Sequence, residues 1–382
     1  FTENPEVSFF KIKHYRHIPF SMQNIDILLN SDLTYGKDTE CILPKHGDLI
    51  HKMYLSIELP ALPEGTYWRN SIGYAIIDYI EVYIDSQKID RQTGEWMNIN
   101  HELFTKKSKI NGLNEMVGKY NTSIELKRNT TSGVSKKITV PLYFWFCRDV
   151  DKSLPLVAMK NSELRFIVKL KPFNELILGT TISETSIEPL RNIKFMTDYI
   201  FVDDSERMKF ITNPIEYNIE QIEYQELSNN INYNVVTSED EGRYEYELEA
   251  NGLVKYIVWI LQENTATDFV YNTNNLLHAN LLINGTDLVK KNKTGNNGLN
   301  QYMSYYSHNN RIPYSDIHSF PMCLNMDSSI PNGATNVSNV SELRFEIKLD
   351  TTKNTKSSKL NMFFVRYNVL KFDRGTGLTL FS

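Results

Sequence analysis

The nine residues SELRFIVKL, from Ser162 to Leu170, return as SELRFEIKL from Ser341 to Leu349, with seven positions identical. In each copy apolar Leu and Phe alternate with charged Arg and Lys, the period-two pattern of a strand with one buried face. A single echo of this length can arise by chance, but this one is the last of four in the same order. GDLIHKMYLSIELP (47–60) is echoed by NGLVKYIVWILQE (251–263), VYIDSQKID (82–90) by LLINGTDLV (281–289), and FCRDVDKSLP (146–155) by CLNMDSSIP (323–331). Collinear echoes with unequal spacers are what a duplicated unit leaves once its loops have changed length. The chain reads as two related units in tandem, and its 382 residues, more than one hydrophobic core normally serves, agree with that.

Each unit is built from short runs rich in Ile, Val, Tyr, Phe and Thr, separated by Asn, Asp, Gly, Ser and Pro, the composition of strands and turns. YIEVYID (79–85) and RYEYELE (243–249) alternate between two faces. KYIVWIL (255–261) and LYFWFC (142–147) are apolar on both faces and read as strands buried between layers. Turn signals about every ten residues give roughly eight strands per unit, the count of a jelly roll or a related sandwich. Helix–strand alternation is missing, which excludes a doubly wound or barrel enzyme. Helical spacing is sparse. Trp96, Ile99, Leu103 and Phe104 in GEWMNINHELFTKK form one apolar stripe and predict a helix in a long connection. DSERMKFI predicts a second helical turn, with Asp204 or Ser205 as N-cap and Glu206 in the first turn.

A search for chemistry returns no catalytic, cofactor-binding or metal-binding residues. Asp203, Asp204 and Glu206 could pair as carboxylates or ligate a cation, but no glycine-kinked metal loop follows, and a helix cap with an Arg207 salt bridge accounts for them. The histidines (His14, His17, His46, His51, His101, His278, His308 and His318) lack the His-x-His spacing of a metal-binding sandwich. No nucleophile elbow, P-loop or HExxH occurs, and RGTGL (374–378) has no following helix to receive a phosphate, so it reads as a turn. Cys41, Cys147 and Cys323 are too few and too far apart for a disulfide framework or a zinc site and read as small buried side chains. A net charge of −5 disfavours direct nucleic-acid binding. No run reaches the ~20 apolar residues of a membrane span, and the first residues lack a signal peptide's apolar core, so the chain is expected to be soluble and cytosolic. Six N-x-S/T sequons, at Asn121, Asn129, Asn284, Asn292, Asn336 and Asn339, mark surface loops.

The phrases PEVSFFKIKHYRHIPFSMQ (5–23), GDLIHKMYLSIELP, YIEVYIDSQKIDRQTGEWMNINHELF (79–104) and VPLYFWFCRDVDKSLPLVAMKNSELRFIVKL (140–170) resemble those of the double jelly-roll major capsid proteins of nucleocytoplasmic large DNA viruses. The most specific is DYIFVDDSERMKFITNPIEYNIEQ (198–221), which is similar to the family's connector between rolls. The resemblance implies an all-β fold of two tandem eight-stranded antiparallel jelly rolls with short helices in connecting loops: an N-terminal roll over 1–204, a connector over 205–214 and a C-terminal roll over 215–382. It further implies no enzyme activity and no cofactor. The implied role is a homotrimer acting as a pseudo-hexagonal capsomer in an icosahedral virion shell, assembled in the host cytoplasm. Its partners would be neighbouring capsomers, minor capsid and penton proteins and, through minor proteins, an internal viral membrane, without direct nucleic-acid contact. Two readings from other classes stand beside it. One is a two-domain carbohydrate-binding or adhesive β-sandwich; the other is a sandwich enzyme using carboxylates such as Glu81 or Asp85.

Overall fold

A computed structural model describes residues 10, 16–29, 33–130, 135–227, 242–263, 269–271, 276–287, 316–349 and 358–380. Eight main strands, beside short pairings at Thr66–Trp68, Leu154–Pro155 and Ile177–Gly179, form the first roll: β1 (Phe20–Leu28), β2 (Asp38–Ile42), β3 (Leu49–Leu59), β4 (Ile77–Ile84), β5 (Gln87–Thr93), β6 (Lys136–Pro141), β7 (Leu164–Leu170) and β8 (Arg191–Val202). Eight more, beside short pairings at Thr335–Asn336 and Thr376–Thr379, form the second: β9 (Ile215–Glu226), β10 (Arg243–Glu247), β11 (Leu253–Glu263), β12 (Leu276–Ile283), β13 (Thr286–Asp287), β14 (Ile317–Pro321), β15 (Leu343–Leu349) and β16 (Ser358–Asp373). The first roll pairs them as β1-β8-β3-β6 facing β2-β7-β4-β5, and the second as β9-β16-β11-β14 facing β10-β15-β12-β13. Every pairing is antiparallel. Adding eight to each strand number of the first roll reproduces the order of the second, so the fold is two tandem eight-stranded jelly rolls.

The repeated phrase occupies β7 and β15, the same place in each roll. Phe166 sits between Cys41 of β2 and Val82 of β4, and Phe345 between Tyr246 of β10 and Leu281 of β12. Leu164, Phe166, Leu343 and Phe345 are all buried, as the alternation predicts. The structure also shows what the start of the phrase meets. Asp85 and Asn284, both with left-handed backbone (φ 53° and 50°), turn the β4–β5 and β12–β13 hairpins. Each receives backbone bonds across to the coming strand. Asp85 Oδ1 accepts from the Glu163 N–H at 2.8 Å, and Asn284 Oδ1 from the Ser341 and Glu342 N–H groups at 2.9 and 3.2 Å. A short acidic or amide side chain that tolerates positive φ serves both turns.

Two readings of local structure change. LYFWFC is not a strand: β6 ends at Pro141, the Leu142 N–H makes one more bond to the Met53 carbonyl, and Trp145–Cys147 is then one 3₁₀ turn that sends Phe144, Trp145 and Phe146 into the first core. Among the described residues the connection from β5 to β6 holds three α-helices, α1 (Gly94–Phe104), α2 (Ile110–Val117) and α3 (Ser123–Thr130), of which only the first is expected from the spacing of apolar residues. Thr93 caps α1 by accepting from the Trp96 N–H. The other predicted turn is α4 (Asp204–Thr212), capped by Asp203, one residue earlier than expected.

Candidate functional site

Strands in a roll ordinarily bury one face, yet β11 and β16 bury both. Val254, Ile257, Trp259 and Leu261 of β11, with Leu360, Met362 and Phe364 of β16, fill the second roll. Their neighbours Tyr256, Val258, Ile260, Phe363 and Val365 point outward and are covered by Trp96, Ile99 and Leu103 of α1, from the first roll. The stripe read from the sequence is therefore a seam between rolls, and KYIVWIL is apolar on both faces because it stands between two cores. At one end of the seam, Ile219, Leu370 and Phe372 of the second roll join the first core. Along its flank the edge of β9 meets the edge of β5: Gln221 donates to the Ile89 carbonyl, and the Ile222 N–H donates to Asp90 at 3.1 Å. The hairpin after β16 closes the contact, with Gln87 bonded to Thr379 and the Asn161 N–H to the Gly375 carbonyl.

A charge cluster pins the same seam. Glu220 of β9 accepts from Lys255 Nζ of β11 at 2.7 Å and from Arg148 of the first roll at 2.5 Å. The Lys255 side chain is fully buried and also donates to the Met326 and Ser328 carbonyls. Burial holds its ammonium below the usual lysine range, with Glu220 acting the other way. Arg148 and Lys152 further bond the Asp327 and Ser329 carbonyls, so two loops that echo each other in sequence clasp across the seam. The lone Lys in the apolar run KYIVWIL is the trace that this cluster leaves in the sequence.

The carboxylates singled out for chemistry do not converge. Asp203 caps α4, Asp204 pairs with Arg207, and Glu206 pairs with Lys209. Arg207 binds Asp48 at 2.8 Å. Burial alone would raise the Asp48 carboxyl, but Arg207 and the Val202 N–H hold it below the usual range. Glu81 accepts from the Tyr83 hydroxyl and lies 3.7 Å from both Lys88 and Arg91 on the outer sheet face, and Asp85 holds its turn. His278 meets the buried Glu346, His51 bonds the Phe146 carbonyl, and His17 is exposed. His14, His308 and Asn292 lie outside the described residues, as does the side chain of Asn129. Among the described residues no three His, Cys, Asp or Glu side chains form a metal site. Cys41 is buried, while Cys147 and Cys323 are part-exposed and all three are free thiols. RGTGL forms the turn after β16, with Arg374 and Gly375 at positive φ.

Two carboxyls at the seam are perturbed. A cleft of about 650 Å³ opens between the rolls, and Asp90 and Glu95 line it. Burial pushes Asp90 up to about 6. It pushes Glu95 up to about 7, with Lys171 opposing and the Asn361 amide donating at 3.1 Å. A native carboxyl that keeps its proton to about 7, against 4.5 for the free group, costs stability as pH rises through that window. Glu95→Gln is therefore expected to raise the melting temperature at pH 8 and leave it unchanged at pH 4, as thermal unfolding at the two pH values would show.

Among the described residues the seam places no nucleophile beside a base; what it does is fix one roll against the other. It also reveals an asymmetry. The edge of β9 is covered by β5, but among the described residues nothing pairs with the outer edge of β1, its counterpart in the first roll. That strand carries exposed Phe20, Met22 and Leu28, at 59%, 50% and 72%. A long, apolar, unpaired edge is a template for another chain.

Known proteins resemble the chain over this whole architecture. A family model described as the major capsid protein N-terminus matches residues 8–203, and one described as the large eukaryotic DNA virus major capsid protein matches residues 206–378. The major capsid protein of Pyramimonas orientalis virus is 27% identical across 99% of this chain and 95% of its own length. Probable capsid protein 4 of Acanthamoeba polyphaga mimivirus is 25% identical across 97% and 94%. Among solved structures, VP54 of PBCV-1, fitted into a reconstruction of the Sputnik virophage, matches with a TM-score of 0.83 at 20% identity, covering 98% of this chain and 100% of that one. The Faustovirus major capsid protein matches with a TM-score of 0.72 at 12% identity, covering 96% and 93%. At such identities the structural likeness establishes the fold, and the two family matches, which leave little of the chain uncovered, establish the family. The chain belongs to the major capsid proteins of the large eukaryotic DNA viruses, structural proteins of the virion shell.

Proposed function

We propose that three copies of this chain form a pseudo-hexagonal capsomer, which tiles the icosahedral shell beside neighbouring capsomers and binds minor capsid and penton proteins. The units are an N-terminal roll over 1–204 and a C-terminal roll over 215–382, joined by a connector over 205–214. The observation that carries this reading is the covered edge of β9 against the edge of β1, which has no partner strand among the described residues. Within the chain, the first strand of the second roll docks on the β5 side of the first. The equivalent contact between chains seats β1 of one copy on the β13 side of the second roll of another. A head-to-tail contact of this kind repeats until it closes, and three chains of two rolls close a six-roll ring. Such an interface is of the large, obligate class.

Light scattering of the purified protein is expected to give three times the chain mass. Phe20→Lys with Met22→Lys is expected to yield monomers that still fold, because both side chains are already exposed in the single chain, with a melting temperature below the parent's by the stability the interface contributes. A parent protein that stays monomeric at high concentration contradicts the proposal.

A further inference from the structure

The connections from β3 to β4 and from β5 to β6 leave the same end of the first roll, since β4 and β5 are a hairpin whose Tyr79 pairs with Thr93 at that end. Together with Phe269 and Val270 of the second roll they wall a cleft of about 670 Å³, a size typical of small-molecule sites. Its lining is rich in amides, and one of them belongs to the framework. Asn70 accepts from the Ser71 and Tyr120 N–H groups and donates to the Tyr120 carbonyl, which ties the two connections together.

Two others are not used up in this way. Asn98 of α1 is 1% exposed; its amide nitrogen donates to the Tyr271 hydroxyl at 3.4 Å, but its buried carbonyl oxygen has no partner among the described residues. The carbonyl oxygen of Asn114 on α2 is buried and equally unpartnered there. An unsatisfied buried acceptor is costly, so two on one cleft wall, unpartnered among the described residues, suit a hydrogen-bond donor that enters the cleft. Glu102, 3% exposed, is paired with Lys119, which makes the polar wall formally neutral and adds a further acceptor beside a donor. Phe269 and Val270, the latter 60% exposed, give the mouth an apolar lip.

We propose that this cleft is a binding site for a neutral saccharide. Ring hydroxyls supply the O–H donors that the Asn98 and Asn114 carbonyls lack, and their oxygens can accept from Lys119. The C–H face of a pyranose suits the lip formed by Phe269 and Val270. An anion would set its oxygens against the two carbonyls and the Glu102 carboxylate, and a cation would meet Lys119, so a charged ligand is disfavoured.

The test uses the full-length assembled protein and saturation-transfer NMR with glucose, galactose, mannose, N-acetylglucosamine and their β-linked disaccharides at millimolar concentration, followed by calorimetry on any that bind. At least one is expected to saturate the protein, and glucose 6-phosphate is expected to bind more weakly than glucose. Asn98→Leu and Asn114→Leu are each expected to weaken binding tenfold or more. Asn114 is part-exposed, so its variant keeps the test decisive if Asn98→Leu fails to fold. The proposal is overturned if no probe saturates a protein whose near-ultraviolet dichroism shows it folded. It is equally overturned if the folded variants bind as tightly as the parent, or if the phosphorylated sugar is preferred.

Discussion

Glu220→Leu is expected to lower the stability of the folded chain by about 3–5 kcal/mol, measured by urea unfolding at pH 7. The substitution removes the carboxylate shared by Arg148 and Lys255 while leaving both cations in place. Lys255, with no exposed side-chain surface, would keep two carbonyls as partners and lose its counter-charge. Breaking a buried pair from one side is far more damaging than deleting it, because the stranded charge has lost its water as well as its partner. Adding Lys255→Met to Glu220→Leu is therefore expected to recover a large part of the loss. If the double variant is no more stable than the single one, the seam does not depend on this pair.

Acidification is expected to weaken the second roll through His318. Its imidazole stacks on Trp259 with ring centroids 4.3 Å apart, is 1% exposed, and has no hydrogen-bond partner at either nitrogen among the described residues. Burial pushes it down to about 4 from 6.5, with Asp316 opposing. Above pH 6.5 the ring is neutral in both the folded and the unfolded chain and carries no penalty. Between 6.5 and about 4 the unfolded chain takes up a proton that the native core refuses, so stability falls with falling pH. The full difference is about 3 kcal/mol, at about 1.4 kcal/mol per unit of pKa. His318→Phe keeps a ring on Trp259 and should lose less stability between pH 7 and pH 4 by about that amount. Parallel stability curves for parent and variant across this range would show that His318 does not drive the acid response.

Much of this architecture is legible in the sequence because strands with one buried face write their period into it. SELRF marks β7 and β15, YIEVYID marks β4, and the echoes align the rolls in order. LYFWFC shows the limit of that code: a dense apolar run has no period, so nothing in it marks the 3₁₀ turn at Trp145–Cys147. The seam is legible in halves. The stripe of α1 is visible, and so are the two apolar faces of KYIVWIL, but nothing local says that they meet. Arg148 and Lys255 reach Glu220 across 72 and 35 positions of chain, and their meeting depends on the docking of two rolls. The cleft of Asn98 and Asn114 is harder still to read, since isolated amides in an Asn-rich chain carry no spacing signal.

The central claim is that the edge of β1, unpaired among the described residues, is closed by another copy, so that a duplicated roll becomes six rolls in a ring. Electron microscopy of the purified protein tests it most directly. The account predicts class averages with a hexagonal outline and threefold symmetry, each made of six lobes. Two-lobed particles at every concentration, or rings with another number of chains, would contradict it.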